Sequence, residues 1–316
     1  MRKPIDLIIP EKDRARMATD TASSDAPVDA DFFPATAEIN LGALLHNFRE
    51  VSRKIGAERS MIAVVKADAY GHGAVQVSQT LQEAGVKMLG VALVQEGAEL
   101  RQAGIRVPIL MMGSLLKEQI PLMIEYQLTP VLFQPELLPA LEKEAEKRNM
   151  VLPIHLKVDT GMGRLGIQPA DTAAFLKEIS RHKRLKVEGL MTHLANADRR
   201  EKGASAFQIA LWNKILKIVR DSGLEIPYIH VSNSAAILNL PEIHSNPVRP
   251  GIMLYGYVSG YEPELSLEPV LSFKTRVVHL KTVPQGTPVS YGGIFTTSRK
   301  SIIATLAVGY ADGYNR

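Results

Sequence analysis

Two kinds of apolar pattern alternate along the chain from about residue 61 to residue 256. One kind is short and continuous: MIAVVK (61–66), MLGVALV (88–94), PILMMG (108–113), LTPVLF (128–133), PIHLKVD (153–159), VEGLMTH (187–193), YIHVSNS (228–234) and IMLYG (252–256). Runs that are apolar on both faces predict strands buried on both sides, as in a parallel sheet. The other kind is amphipathic with helical spacing, at 74–84, 135–148 and 203–221. In the last of these, Phe207, Leu211, Ile215 and Val219 recur at steps of four and predict one apolar stripe facing the core. Eight strand-like runs alternating with helices predict an α/β fold, a (β/α)8 TIM barrel. A doubly wound open sheet would instead carry a Gly-rich phosphate turn after its first strand, where this chain has KADAYGHG.

After about residue 262 the texture changes. LSFKTRVVHLKTV and SIIATLAVGY alternate like strands, with turn chemistry at Pro284–Gly286 and Gly292–Gly293, and no helical stripe appears. Three regions are therefore expected: a flexible leader over 1–36, a barrel over 37–262, and the start of a mostly-β domain over 263–316. The leader is assigned on its Ala, Ser, Asp and Pro content and is too polar for a secretory signal.

Composition narrows the function classes. The formal charge is +4, from 37 basic and 33 acidic residues with no dense basic block, so nucleic-acid binding has no support. The absence of cysteine excludes disulfides, thiolate metal sites and a Cys nucleophile, and is compatible with the cytoplasm. No apolar run approaches the ~18 residues of a membrane span. No metal site is expected.

In a (β/α)8 barrel, functional residues sit at the C-terminal ends of strands. Those ends carry Lys66, with Tyr70 and His72 after it; Lys157, Asp159 and Arg164 in KVDTGMGRLG; His193; and Asn233 and Ser234, while Arg249 in VRPGIMLYG precedes the eighth run. A lysine following an apolar strand is either solvated at the rim or desolvated in the mouth. Desolvation would make its amine a usable nucleophile.

VVKADAYGHG at 64–73 closely resembles the cofactor-lysine signature of the pyridoxal-phosphate (PLP)-dependent alanine racemases. The resemblance runs from AEINLGALLHN at Ala37 to the last residue. It takes in DTGMGRLG (159–166), THLANAD (192–198), NSAA (233–236), VRPGIMLYG (248–256), VSYGG (289–293) and VGYADGYNR (308–316). It implies an N-terminal barrel, a C-terminal β domain and a homodimer with shared active sites. Members of this family continue with further strands, so the C-terminal domain is expected to be incomplete here.

By that resemblance, Lys66 holds PLP covalently and acts as a base on one face of the substrate α-carbon. Tyr291, contributed across the dimer interface, is the base on the other face. A phenol is protonated at neutral pH and needs help, which the resemblance assigns to a hydrogen bond from His193. Arg249 matches the arginine that donates to the pyridine nitrogen. A guanidinium cannot deliver a proton there, so the ring stays a poorer electron sink, which favours racemisation over transamination. Tyr70, Ser234 and the backbone of Gly251 and Ile252 match the phosphate-binding positions, and Asn233 beside Ser234 in NSAA is a further cofactor-binding position. Asn233 and Ser234 also suit a helix N-cap. Arg164 matches the arginine near the cofactor's phenolic oxygen and the substrate carboxylate, and Lys157 a lysine that is carbamylated in many members. Asp198, Tyr310, Asp312 and Arg316 resemble residues lining the channel by which substrate arrives.

The expected function is interconversion of L- and D-alanine for peptidoglycan synthesis in the cytoplasm. A broader amino-acid racemase on the same scaffold is one alternative, and a PLP-binding barrel protein without turnover is another. The second base at Tyr291 speaks against the latter. A PLP decarboxylase would use an acidic partner at the pyridine nitrogen.

Overall fold

The computed structural model describes residues 34–199, 201, 203–243, 246–258 and 265–314. Most of the expected leader, and Arg316, lie outside those residues. Two compact units divide the chain near residues 38 and 273.

The larger unit, Ile39–Ser272, holds the barrel. Strand β1 (Ala35–Ile39) leads into helix α1 (Leu41–Ile55), whose N-cap Asn40 accepts a hydrogen bond from the Ala43 amide. Leu44, Phe48, Val51 and Ile55 line its buried face, and Gly56, with φ +80°, ends it. There follow β2 (Ile62–Val64), α2 (Ala74–Glu83), β3 (Met88–Val91), α3 (Val94–Gln102), β4 (Ile109–Met111), α4 (Ile120–Glu125), β5 (Leu128–Leu132), α5 (Leu138–Lys147), β6 (Leu152–Lys157), α6 (Thr172–Ile179), β7 (Leu185–Met191), α7 (Gly203–Asp221), β8 (Tyr228–His230) and α8 (Ser234–Asn239). Strands β2 to β8 form one parallel sheet in sequence order.

The eighth strand position differs from the expectation. IMLYG is not a strand: Ile252–Tyr255 is a 3-10 turn packed against α1. Its apolarity serves that packing, since Met253, Leu254 and Tyr255 are buried. Pro250 lacks an amide proton and Gly256 is left-handed, so strand pairing cannot run through the segment. The ring is closed instead by the residues just before it. Val248 donates to the Ser60 carbonyl and accepts from Ile62, while Arg249 donates to the Ser232 carbonyl.

The stripe on α7 also differs. Phe207 is 68% exposed and Leu211 is half-buried; the buried face is Ser205, Gln208, Trp212, Ile215 and Val219. Ile215 and Val219 are buried as expected, but in the first half of the helix Gln208 and Trp212 take the places of Phe207 and Leu211, because the helix turns a polar side chain, Gln208, towards the strand ends.

Inside the barrel, Ile62, Met88, Leu110, Val131 and Met191 form an apolar cluster. His155, Lys157, His230 and Arg249 are buried polar groups on β6, β8 and the closing segment. Asn47 ties α1 to the segment after the barrel. Its side chain donates to the carbonyls of Leu254 and Glu268 and accepts from the Glu268 amide. Asn47→Leu leaves those three backbone groups without their partner. It is expected to cost about 3 kcal/mol in urea unfolding, and an unchanged midpoint would show the bonds to be dispensable.

The smaller unit is β-rich. Strand β9 (Leu271–Thr275) pairs with β1, β10 (Val277–Val283) pairs antiparallel with β13 (Ser301–Leu306), and β11 (Pro288–Val289) pairs with β12 (Phe295–Thr296) in a hairpin. Thr297 is buried under the hairpin, accepting from the Thr287 amide and donating to the Pro284 carbonyl.

Candidate active site

At the C-terminal ends of the strands lies a cavity of about 690 Å³. Lys66 stands at its wall. The chain leaves β2 through Val65, whose amide bonds to Gly90, and then makes one left-handed turn. Ala67, Asp68, Ala69 and Tyr70 have φ between 51° and 57°. Left-handed residues with side chains cost roughly 1–2 kcal/mol each, so neighbours must hold the turn. Glu96 accepts from the Ala67 amide at 2.8 Å and, through its other oxygen, from Ala92 at 2.7 Å. Asp68 accepts from the Ala74 amide at 2.6 Å. The turn brings the Tyr70 ring to 5.9 Å from Lys66 Nζ, and burial raises the Tyr70 phenol above its ordinary value.

Tyr70 and the closing segment approach closely. A Cβ on Gly251 would stand 2.5 Å from Tyr70 Oη, so only glycine fits there. Ser234 Oγ accepts from the Gly251 amide at 2.9 Å. Asn233 caps α8 by accepting from Ala236 and donates to the Leu194 carbonyl, which fixes Ser234 at the helix start. Ile252 lines the same wall.

Arg249 is buried, and its donors can be counted. Nη1 donates to His230 Nδ1 and to the His230 carbonyl; Nη2 donates to the carbonyls of Thr192 and Val231. A guanidinium carries five N–H groups. The Nε–H is therefore the one left without a partner among the described residues. Burial pushes the guanidinium down to about 9, which keeps it cationic at neutral pH.

His193 Nδ1 lies 3.4 Å from Arg249 Nη2. Burial, reinforced by the Arg249 cation, holds this imidazole down to about 3, so it is neutral. Burial also lowers Lys157 to about 8, with Arg164 and Arg249 adding to the effect. Arg164 is carried by a loop wound around Asp159. That carboxylate accepts from the amides of Gly161, Met162, Gly163 and Arg164. Burial raises the Asp159 carboxyl, but the four donors outweigh it and leave it below the ordinary aspartate range.

Lys66, Lys157, Arg164 and Arg249 all line this cavity, against one carboxylate, Asp198. Such a field suits an anionic ligand. Among the described residues, no group of His, Asp and Glu side chains is placed to hold a metal ion, and no helix is long and apolar enough to cross a membrane.

Of the expected site residues, Lys66, Tyr70, Lys157, Arg164, His193, Asp198, Asn233, Ser234, Arg249, Gly251 and Ile252 meet at this one cavity. Tyr291, Tyr310 and Asp312 belong to the smaller unit. Tyr291 is 75% exposed at the end of the β11–β12 hairpin, where Ser290 takes φ +62°. Arg316 lies outside the described residues.

Two supporting residues had no sequence signal. Gln208 accepts from the Ala195 amide and donates to the His193 carbonyl and to Thr160 Oγ1. It joins the loop carrying His193 to the loop carrying Arg164. A glutamine within an amphipathic helix reads as solvent-facing, and only the exposure of Phe207 shows otherwise. Glu96 reads as an ordinary first-turn acid, and its bond to Ala67 crosses from a different strand.

The alanine racemase N-terminal domain family matches residues 39–259, and the alanine racemase C-terminal domain family matches residues 270–316. The chain belongs to the alanine racemase family. The alanine racemase of Halothermothrix orenii is 46% identical over 285 residues, covering 90% of this chain and 75% of that protein. Among solved structures, the alanine racemase of Clostridium difficile 630 superposes with a TM-score of 0.83 at 36% identity, covering 90% of this chain and 75% of that one. The alanine racemase of Bartonella henselae, solved with covalently bound pyridoxal phosphate, superposes with a TM-score of 0.81 at 27% identity, covering 90% of this chain and 78% of that one. Alanine racemases depend on PLP and catalyse racemisation of alanine, in agreement with the expectation from the motifs.

Proposed function

We propose that this chain interconverts L- and D-alanine by two bases, Lys66 and Tyr291, acting on opposite faces of the α-carbon. The observation that carries the reading is the meeting of Lys66 and Arg249 at one cationic cavity, with a single Arg249 donor uncommitted. The residues present fit PLP. Lys66 supplies the amine for covalent attachment. The Arg249 Nε–H suits the pyridine nitrogen. Tyr70, Ser234 and the close backbone at Gly251 and Ile252 offer the hydroxyl and amide donors that a phosphate needs. Bound PLP withdraws electrons from the α-carbon and so makes its hydrogen acidic.

The chain's own groups do the rest. Arg164 pairs with the substrate carboxylate and orients the α-carbon–hydrogen bond. Lys66 takes or returns the α-proton on its face. Tyr291 of a second copy does so on the other, its phenolic oxygen bonded to the neutral His193. The family motifs assign Asp198, Tyr310, Asp312 and Arg316 to the substrate approach, and of these Asp198 lines the cavity. We infer a homodimer with shared sites, acting in the cytoplasm and supplying D-alanine for peptidoglycan. Chiral detection of D-alanine from L-alanine in the presence of PLP tests the activity. Serine assayed beside it tests substrate breadth, and cofactor bound without any D-alanine would favour a PLP-binding protein instead.

Lys157 is suited to carbamylation. Its amine is buried beside Arg164, and with the pKa lowered to about 8 an appreciable fraction is unprotonated at neutral pH and can attack CO2, releasing a proton. The anion so formed would remove a cation–cation contact and hold Arg164 by charge-assisted bonds. Native mass spectrometry in bicarbonate is expected to show one added CO2, lost on acidification and absent in Lys157→Ala. An unmodified mass under both conditions would rule this out.

A further inference from the structure

Behind Arg249, two histidines continue the polar line into the barrel. His230 Nδ1 lies 3.0 Å from Arg249 Nη1, and His230 Nε2 lies 2.9 Å from His155 Nδ1. Both imidazoles are at most 1% exposed. The chemistry of the first member fixes the direction of every bond. A guanidinium only donates, so His230 Nδ1 must accept. A neutral His230 then carries its proton on Nε2 and donates it to His155 Nδ1. Burial, with the Arg249 cation as second cause, holds His155 down to about 4 and His230 well below its ordinary value, so neither competes as a cation.

The sheet makes room for the far member of this line. Gly189 on β7 faces His155 in register. A Cβ at Gly189 would stand 2.2 Å from the His155 ring. On another side the Tyr228 ring stacks on His155 at 5.7 Å between centroids, with an interplanar angle of 23°. A buried histidine with a vacated neighbour and a stacking partner is a seated ring, although it touches nothing in the cavity.

We propose that His155 and His230 are positioning residues that hold the Arg249 guanidinium in one orientation, leaving its Nε–H as the donor for the cofactor's pyridine nitrogen. His155 acts by fixing a tautomer. While it accepts from His230 Nε2–H, moving that proton to Nδ1 would break two hydrogen bonds and set an N–H against the guanidinium. Without His155 the proton is free to move. Arg249 Nη1 then loses one of its two acceptors and keeps only the His230 carbonyl, and the guanidinium rotates to pair the freed N–H elsewhere. The pyridine partner is lost with that rotation. The use of Nε–H rests on the PLP reading above; the hold on the guanidinium does not.

The test compares the full chain with His155→Leu, which removes the acceptor, and His155→Gln, which restores an oxygen within reach of His230. In the cofactor-free protein, nitrogen-15 NMR of labelled histidine is expected to show His230 protonated on Nε2 in the wild type. In His155→Leu the proton shifts towards Nδ1, and in His155→Gln it returns. With PLP and alanine, His155→Leu is expected to lose roughly 10- to 100-fold in kcat through misplacement at the ring, with KM little changed. It should also release more pyruvate per racemisation, through the side reaction in which the cofactor takes alanine's amino group and two electrons. His155→Gln recovers most of both. A wild-type His230 protonated on Nδ1, or carrying both protons, overturns the proposal without any variant. So does a His155→Leu chain whose His230 tautomer, kcat and pyruvate ratio match the wild type. A wild type that binds PLP but makes no D-alanine overturns the proposed function alone, and the ring nitrogens still decide the pair.

Discussion

Lys66→Ala is expected to lose about 10⁴-fold or more in racemisation, since one side chain supplies both covalent attachment and a base. The loss should be specific in two ways. The variant's cofactor should dialyse away, with its protein-bound absorbance, because the remaining contacts are single hydrogen bonds and charge. Its fold should be intact, because among the described residues Lys66 Nζ makes no hydrogen bond that holds the left-handed turn. The turn is held at Ala67 by Glu96 and at Asp68 by Ala74. Far-ultraviolet circular dichroism and the urea midpoint should therefore match the wild type. Lys157→Ala is the informative control: it removes the other lysine of the same cavity but should leave the covalently held cofactor in place. Equal cofactor retention in Lys66→Ala and wild type would mean that another amine holds it, and the whole assignment of the site would fail.

The barrel was legible in the sequence because its strands are apolar on both faces and short, a pattern few other arrangements demand. IMLYG misled because a buried 3-10 turn and a buried strand share that composition, and only the Pro250-Gly251 pair ahead of it marks the break. The residues that meet at the cavity could be picked out because their motifs carry the family's spacing, not because lysine or arginine at a strand end is distinctive. What stayed hidden acts over distance. His155 and His230 are separated by 75 residues, and each looks like an ordinary polar member of a strand. Gly189 reads as a weak strand position until the ring it accommodates is known. Gln208 and Glu96 bond to backbone groups, which leave no trace in the identity of the residues they support.

Tyr291→Phe should abolish net racemisation to a similar degree, but by a different route that a mixing experiment can expose. The phenyl ring keeps the shape of the hairpin end and removes only the hydroxyl. Lys66 remains, so exchange of the α-hydrogen with solvent deuterium should persist for one enantiomer and vanish for the other. A single-base enzyme would instead lose exchange for both together or for neither. The subunit that supplies Tyr291 can be settled by combining two inactive proteins. If the site takes Lys66 from one copy and Tyr291 from another, unfolding and refolding Lys66→Ala with Tyr291→Phe in equal amounts creates hybrid dimers. Each hybrid has one site with both bases and one with neither. Random pairing makes half of the dimers hybrid, so activity should return to about a quarter of the wild-type level. Bases contributed by the same copy would give no recovery at any mixing ratio, because every site would then lack one of them. The hairpin gives a physical reason to expect the shared arrangement. An aromatic left three-quarters exposed next to a residue at φ +62° gains little burial within its own unit. Strained, exposed positions of this kind are characteristic of groups aimed at a partner or a substrate.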